Sequence, residues 1–407
     1  MNGNFVFSAE GPGGIAIYDT SVAGGPVWKQ FFDHSSGLEA LAPRDQLVTP
    51  ANLYVAVGQQ SEGGLLVYNL QADPASFTGS FSTGSSIAQG LAISGKTLFL
   101  ATSDDTRILD VSNPGSPIQL GTIAIGTTAL AVSGNSLFAG TVDNRIVVFD
   151  ISNPASPVQK GSVDVPDVSI QIRISGTRMF VADSTAGLLI FDVSSPGSPV
   201  LLSSTQPSSN VFGVALDANL ALLSAWEAGI VIVDCSDPSH PTITGGAQLD
   251  TIDPFKAVTS ELLNHAAAIT LSNGIAFVGV HNFDSHDPPN NGNATIYGFD
   301  YRQPNAPRLV SLTASGTQVR NGIITIASSG SRLFAGGDIT VFEMDITKPR
   351  NTINLFFLPD SLRPPSNLEG ALATVLAAVP GKTSFHLIGK SLAVQGPTAQ
   401  QMRVTRK

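Results

Sequence analysis

Within HNFDSHDPPNNGN (281–293), His281, Asp284, His286 and Asp287 fall inside seven residues. Imidazole and carboxylate together suit zinc or another divalent ion. The spacing matches no recognised ligand motif, and the Pro-Pro-Asn-Asn-Gly that follows is turn chemistry. Two readings stand: a metal loop and a polar hairpin loop. A second set is scattered along the chain: Glu39, Gln89, Gln171, His265, Asn321 and Glu369. Two carboxylates such as Glu39 and Glu369 can share a proton or hold calcium if a fold brings them close. The sequence contains no G-x-S-x-G elbow, no P-loop, no dinucleotide fingerprint and no paired C-x-x-C.

What these residues can do depends on the elements that carry them, and those elements repeat. ILDVSNPGSPI stands at 108–118, VFDISNPASPV at 148–158 and IFDVSSPGSPV at 190–200. Aligned on the acidic residue, eight copies emerge: Asp19, Asn69, Asp110, Asp150, Asp192, Asp234, Asp300 and Asp345. Their spacings are 50, 41, 40, 42, 42, 66 and 45. A period near 42 fits four short strands with turns.

Residues 129–166 show the unit most plainly. ALAV is a first strand, SGN a tight hairpin, SLFAGT a second strand, RIVVFDIS a third and VQKGSVDV a fourth. Ile146, Val147, Val148 and Phe149 run without alternation, so this strand is expected to be buried on both faces. Asp150 ends the run, and its carboxylate can take backbone N–H groups of the turn. Pro154 fixes a turn and Pro157 stops the sheet ladder. The phrase therefore reads as the connector between third and fourth strands, not as a catalytic motif.

These features predict an all-β fold: one β-propeller domain over 1–407, built of four-stranded antiparallel blades. Eight units favour eight blades, with seven as the alternative. The chain enters at a second strand, and NLEGALATVL (367–376) resembles GLEALAP (37–43). The N- and C-terminal strands are thus expected to close the ring, which hides strand edges. The tail at 379–407 has strand-like stretches without an assigned place.

Departures from a repeat map to loops on one face. Three stand out: 32–52, 246–264 and 281–293. In the second, Asp253-Pro254 signals a helix start, and Phe255, Val258 and Leu262 recur at helical spacing. The scattered set lies at or near the starts of first strands, which line a propeller's axis. It describes either a polar, water-filled channel or a binding site at the channel mouth.

Composition limits the partners. The 407 residues are 42% hydrophobic and 13% charged, with 40 Gly and 26 Pro, enough for a core and many turns. A net charge of −10 repels a phosphate backbone and argues against nucleic acid. Cys235 is the single cysteine, so no intramolecular disulfide forms. It occupies a site where other copies carry Val or Ile and is expected to be a small buried hydrophobe. Trp28 and Trp226 are read as core or rim packing, with sugar stacking as the alternative. No apolar run is long enough for a transmembrane helix. The N-terminus shows no leader pattern, so a signal is either not used or already removed.

At GIVIVDCSDPSHP (229–241) the chain resembles the LVIVD repeat proteins, bacterial and archaeal propellers of which many are exported. The resemblance is strong over about 90–245 and looser at 4–82 and 265–358. It implies the fold and an extracellular or cell-surface location, and it carries no catalytic motif. The expected function is a non-catalytic binding or scaffold protein presenting its decorated face to a protein or glycan. One alternative is a metal-dependent hydrolase at the channel mouth, with Glu39, Glu369 and His265 as ligands or base. A structural subunit of a larger extracellular assembly is the other.

Overall fold

The computed structural model describes residues 5–9, 15–19, 27–31, 43–59, 62–69, 71, 76–249, 263–283, 292–319, 323–329, 332–337, 341–345, 352–355, 384–388, 391–395 and 404–405. Nearly all of them belong to strands or tight turns; Ser184–Ala186 forms a short 3-10 turn.

A three-stranded sheet comes first: β1 (Phe5–Ala9), β2 (Ile15–Asp19) and β3 (Val27–Phe31). Five antiparallel four-stranded sheets follow, each in sequence order. They are β4 (Pro43–Val48), β5 (Asn52–Gln59), β6 (Glu62–Asn69) and β7 (Ser76–Gly84); then β8 (Ala88–Ser94), β9 (Thr97–Thr102), β10 (Thr106–Asp110) and β11 (Ile118–Ile123). Next come β12 (Thr127–Ser133), β13 (Ser136–Thr141), β14 (Arg145–Asp150) and β15 (Val158–Asp164). The fourth and fifth are β16 (Ser169–Ser175), β17 (Arg178–Asp183), β18 (Gly187–Asp192) and β19 (Val200–Thr205), and β20 (Gly213–Asp217), β21 (Leu220–Ala225), β22 (Gly229–Asp234) and β23 (Thr242–Ala247).

A sixth unit has longer strands: β24 (Leu263–Ser272), β25 (Ile275–Phe283), β26 (Gly292–Asp300) and β27 (Arg308–Val319). After it come a three-stranded sheet, β28 (Ile323–Ser329), β29 (Arg332–Gly337) and β30 (Val341–Asp345), and then β31 (Thr352–Leu355), β32 (Ser384–Ile388), β33 (Ser391–Gln395) and β34 (Val404–Thr405). β27 pairs in parallel with β31, and the sheet continues through β33 and β32 to β34.

The continuous apolar runs behave as expected, for a reason visible in the packing. In β14, Ile146 and Val148 join the apolar cluster shared with β17 and β18, whereas Val147 joins the one shared with β9 and β10. In β22, Ile230 and Ile232 face β25 and β26, while Val231 and Val233 face β18 and β21. Successive side chains thus serve two neighbouring sheets in turn, so neither position can be polar.

Hairpins between first and second strands rest on single residues at positive φ: Gly95 (58°), Gly134 (56°) and Gly176 (57°). Ala218 occupies the matching turn at 48°. The repeated acid closes the connector as a turn. Backbone N–H groups of Ser112, Ser152, Ser194 and Ser236 donate to Asp110, Asp150, Asp192 and Asp234 at 2.8, 3.0, 2.8 and 2.8 Å. Asn69 accepts from Gln71 N–H at 2.8 Å, which explains why an amide can replace the acid there.

First strands follow one another around a common cavity. β4 touches β8, and contact passes in turn through β12, β16, β20, β24 and β28; β28 touches β4.

One expectation changes. Residues 43–52, expected within the first insertion, carry strand β4 and the start of β5. PRDQLV lacks the small apolar run of the other first strands because Arg44 and Asp45 line the cavity. The tail strands β32 and β33 extend the β27 sheet through β31, and no fourth strand joins β1 among the described residues. The matching segment 367–376 lies outside the described residues, as do 250–262 with the expected helix.

Candidate functional site

The first strands enclose a cavity of about 870 Å³. Its described polar lining includes Arg44, Asp45, Gln89, Thr128, Gln171, Arg173 and Thr270, with Phe212 and Trp226 adding aromatic surface. Polar side chains on these strands tie neighbouring sheets together. Asp45 Oδ2 accepts from Leu91 N–H at 2.8 Å, Thr128 Oγ1 donates to Ser169 O at 2.8 Å, and Gln171 Oε1 accepts from Val214 N–H at 2.8 Å. Each bond crosses from one first strand to the next, so these groups hold the wall as well as lining it. Arg44 Nε donates to Gly58 O at 2.9 Å within its own sheet.

Of the scattered sequence set, Gln89 and Gln171 line this cavity. His265 does not. It is 6% exposed and its ring stacks on Trp226, with centroids 4.2 Å apart and planes 8° apart. Trp226 also lies against Phe212 at 4.6 Å. The cause is local: Ala266 N–H donates to Trp226 O at 2.9 Å, docking the start of β24 onto the turn before β22. Trp226 sits at φ +33°, which this bridge over-determines. Trp226 thus packs against its own fold, and Trp28 lies in β3. Glu39, Asn321 and Glu369 lie outside the described residues.

His281 belongs to β25, as the cross-strand partner of His265. Sequence reasoning put these two histidines in separate sets; pairing of β24 with β25 makes them neighbours. Asp284, His286 and Asp287 lie outside the described residues. Among the described residues no cluster of three His, Cys, Asp or Glu could hold a metal ion.

Asp183 was missed. It is fully buried at the end of β17, and its Oδ1 accepts from Asp167 N–H at 3.0 Å. Burial, reinforced by the Asp167 charge, pushes its carboxyl up to about 6, although the Asp167 N–H opposes this. Thr102 and Thr141 end the corresponding strands β9 and β13. Aligning LFLAT, LFAGT and MFVAD would have exposed the substitution.

Cys235 is buried and free, and burial raises its thiol to about 11. It packs with Val231, Val233 and Ala221 as a small hydrophobe.

The LVIVD repeat matches the chain four times, over residues 85–124, 126–165, 169–206 and 211–247. These four units, the sheets from β8 to β23, are LVIVD repeats. No curated protein matches the sequence. Similar solved folds include the computationally designed Ika8 protein, with TM-score 0.60 and 15% identity over 85% of this chain and 94% of that one. Sqt1 of Saccharomyces cerevisiae has TM-score 0.60 and 11% identity, covering 84% and 93%. Sqt1 of Chaetomium thermophilum has TM-score 0.55 and 15% identity, covering 75% and 84%. At these identities the likeness is one of fold, all-β and propeller-like.

Proposed function

We propose that this chain is a non-catalytic binding or scaffold protein that presents one face to a protein partner. The observation carrying this reading is the outgrowth of the unit β24 to β27. Strands β24 to β27 span 10, 9, 9 and 12 residues, against 5 to 7 for β8 to β23 and 6, 8, 8 and 9 for β4 to β7. Their extra length leads into the segments 250–262 and 284–291, where the sequence departs most from its repeat. A regular scaffold with one extended, decorated unit is the form that recognition loops on rigid frames take. The Sqt1 of Chaetomium thermophilum was solved bound to the N-terminus of the ribosomal protein L10. That precedent supports a peptide or protein as the class of partner, ahead of a glycan.

For the architecture we propose a closed propeller. The cycle of first-strand contacts from β4 to β28 and back supports seven blades over eight. β1 to β3 then form an additional sheet whose β1 touches β29 and β30. An extracellular or cell-surface location, implied by the family resemblance, belongs to the same proposal and is tested by fractionation of the source cells. A zinc or calcium ion held by His281 with Asp284, His286 and Asp287 also remains proposed. Elemental analysis of wild-type protein and of His281→Ala/His286→Ala tests it.

Affinity capture from the source organism tests the binding role. A partner held by the wild type is expected to be lost when 284–291 is replaced by an Asn-Gly turn, and kept by His240→Ala in a connector. A partner held equally by all three proteins contradicts the reading.

A further inference from the structure

Arg173 breaks the repeat inside the cavity. In β16 it stands opposite Phe180 of the second strand. The same place, opposite Phe99, Phe138 and Leu222, is taken by Ala92, Ala131 and Ala215. One long cation therefore projects into a wall that its neighbours keep small.

The guanidinium is underused. Nη1 donates to Ile172 O at 3.1 Å, and no carboxylate lies within ion-pair distance among the described residues. Asp45 acts on it only at longer range, while its Oδ2 accepts from Leu91 N–H. The surrounding wall lowers its pKa, with Asp45 opposing, yet the side chain itself stays exposed in the cavity. An exposed guanidinium without a close counter-charge keeps its remaining N–H donors available to a solute in the cavity. Gln171 lies two residues earlier on the same strand face. Its Oε1 is committed to Val214 N–H, which leaves its amide N–H donors turned away from that bond. A guanidinium fork with an amide donor beside it is a receptor for a planar or tetrahedral oxyanion.

We infer that the cavity binds a small molecule carrying a carboxylate or phosphate group, held by Arg173 and Gln171. About 870 Å³ is room for a metabolite-sized ligand. Phe212 and Trp226 in the wall offer apolar surface for the rest of it. The chain's net charge of −10 makes casual anion binding unfavourable, so any anion retained must be drawn by a local feature.

Titration calorimetry on the full chain tests this, with inorganic phosphate and citrate as separate probes, at about 0.15 M chloride to screen long-range effects. Wild type is expected to give saturable, one-to-one binding with at least one probe. The stronger of the two distinguishes a phosphate from a carboxylate ligand. Arg173→Ala restores the residue of the neighbouring units, so it is expected to fold; its affinity should fall about tenfold or more. Arg173→Gln, of closer length, is measured alongside and should lose affinity likewise. Absence of saturable binding by wild type to both probes overturns the inference. So does wild-type affinity in either variant.

Discussion

Ser203 donates its hydroxyl to the carbonyl of Pro238 at 2.7 Å, joining the fourth strand of one sheet to the connector of the next. In four other sheets the corresponding residue is Gly79, Gly121, Gly161 or Gly245, in each case just past a bulge. A Cβ on Gly79 would come within 2.6 Å of Pro114 O, and one on Gly161 would collide with Gly197 O. The repeated proline phrase is therefore a clamp between sheets, and the fourth-strand glycine is the groove that receives it. Gly161→Ala should destabilise the fold by about 1–3 kcal/mol through overpacking against backbone. Ser203→Ala should cost about 1 kcal/mol for the lost hydrogen bond. Denaturant unfolding of both variants measures the difference.

The same phrase predicts an acid response. Backbone N–H donation, helped by the Ser152 side chain and Lys160, holds the Asp150 carboxyl down at about 2. Asp110 and Asp192 are lowered first by the same kind of backbone bond, and Asp234 first by the Ser236 hydroxyl. A depressed folded-state value means the stabilisation is present above about pH 4 and is lost as pH falls toward 2. Asp150→Asn keeps an accepting oxygen, as Asn69 does. It should be less stable than wild type near neutrality and lose less stability between about pH 4 and 2, so that the two converge at the acid end. Thermal melts across that range test it.

Asp183 carries the opposite sign. Its folded-state carboxyl lies near 6, above its ordinary value, so its favourable contribution is complete below about pH 4 and gone once pH rises past about 6. Above that the buried charge costs up to about 3 kcal/mol. Asp183→Asn retains an acceptor for Asp167 N–H and should raise the melting temperature at pH 8. That gain should shrink as pH falls below 6. A uniform gain at all pH values would mean that ionisation is not the cause.

Ala218 spends its turn at φ +48°, where Gly95, Gly134 and Gly176 serve the neighbouring units. The left-handed region costs a residue with a Cβ about 1 kcal/mol. Part of this returns when glycine loosens the unfolded chain. Ala218→Gly should therefore raise stability by about 0.5 kcal/mol, read from the denaturant midpoint at unchanged slope.

Much of the fold was legible because its constraints are local and repeated. Val147 and Val148 serve different sheets, so the run that contains them announces burial on both faces. Asp150 and Pro154 mark the connector by turn chemistry alone. The clamp was not legible, since the contact between Gly161 and the Gly197 carbonyl joins separate units and a glycine gives no sign of what fills its groove. The candidate site was half legible. Gln171 and Gln89 line the cavity, but His265 is drawn to Trp226 by a bridge between two sheets that no spacing encodes. Arg173 and Asp183 were readable in principle, each as one departure at a position where neighbouring repeats agree.

The central claim is that binding belongs to the face built by the extended unit. Photo-crosslinking in the source cells addresses it most directly, with a photoreactive residue at Phe283, at the end of β25, or at His240, in a connector. The account predicts a discrete protein adduct from position 283 and none from position 240. An adduct formed only from 240 would contradict it.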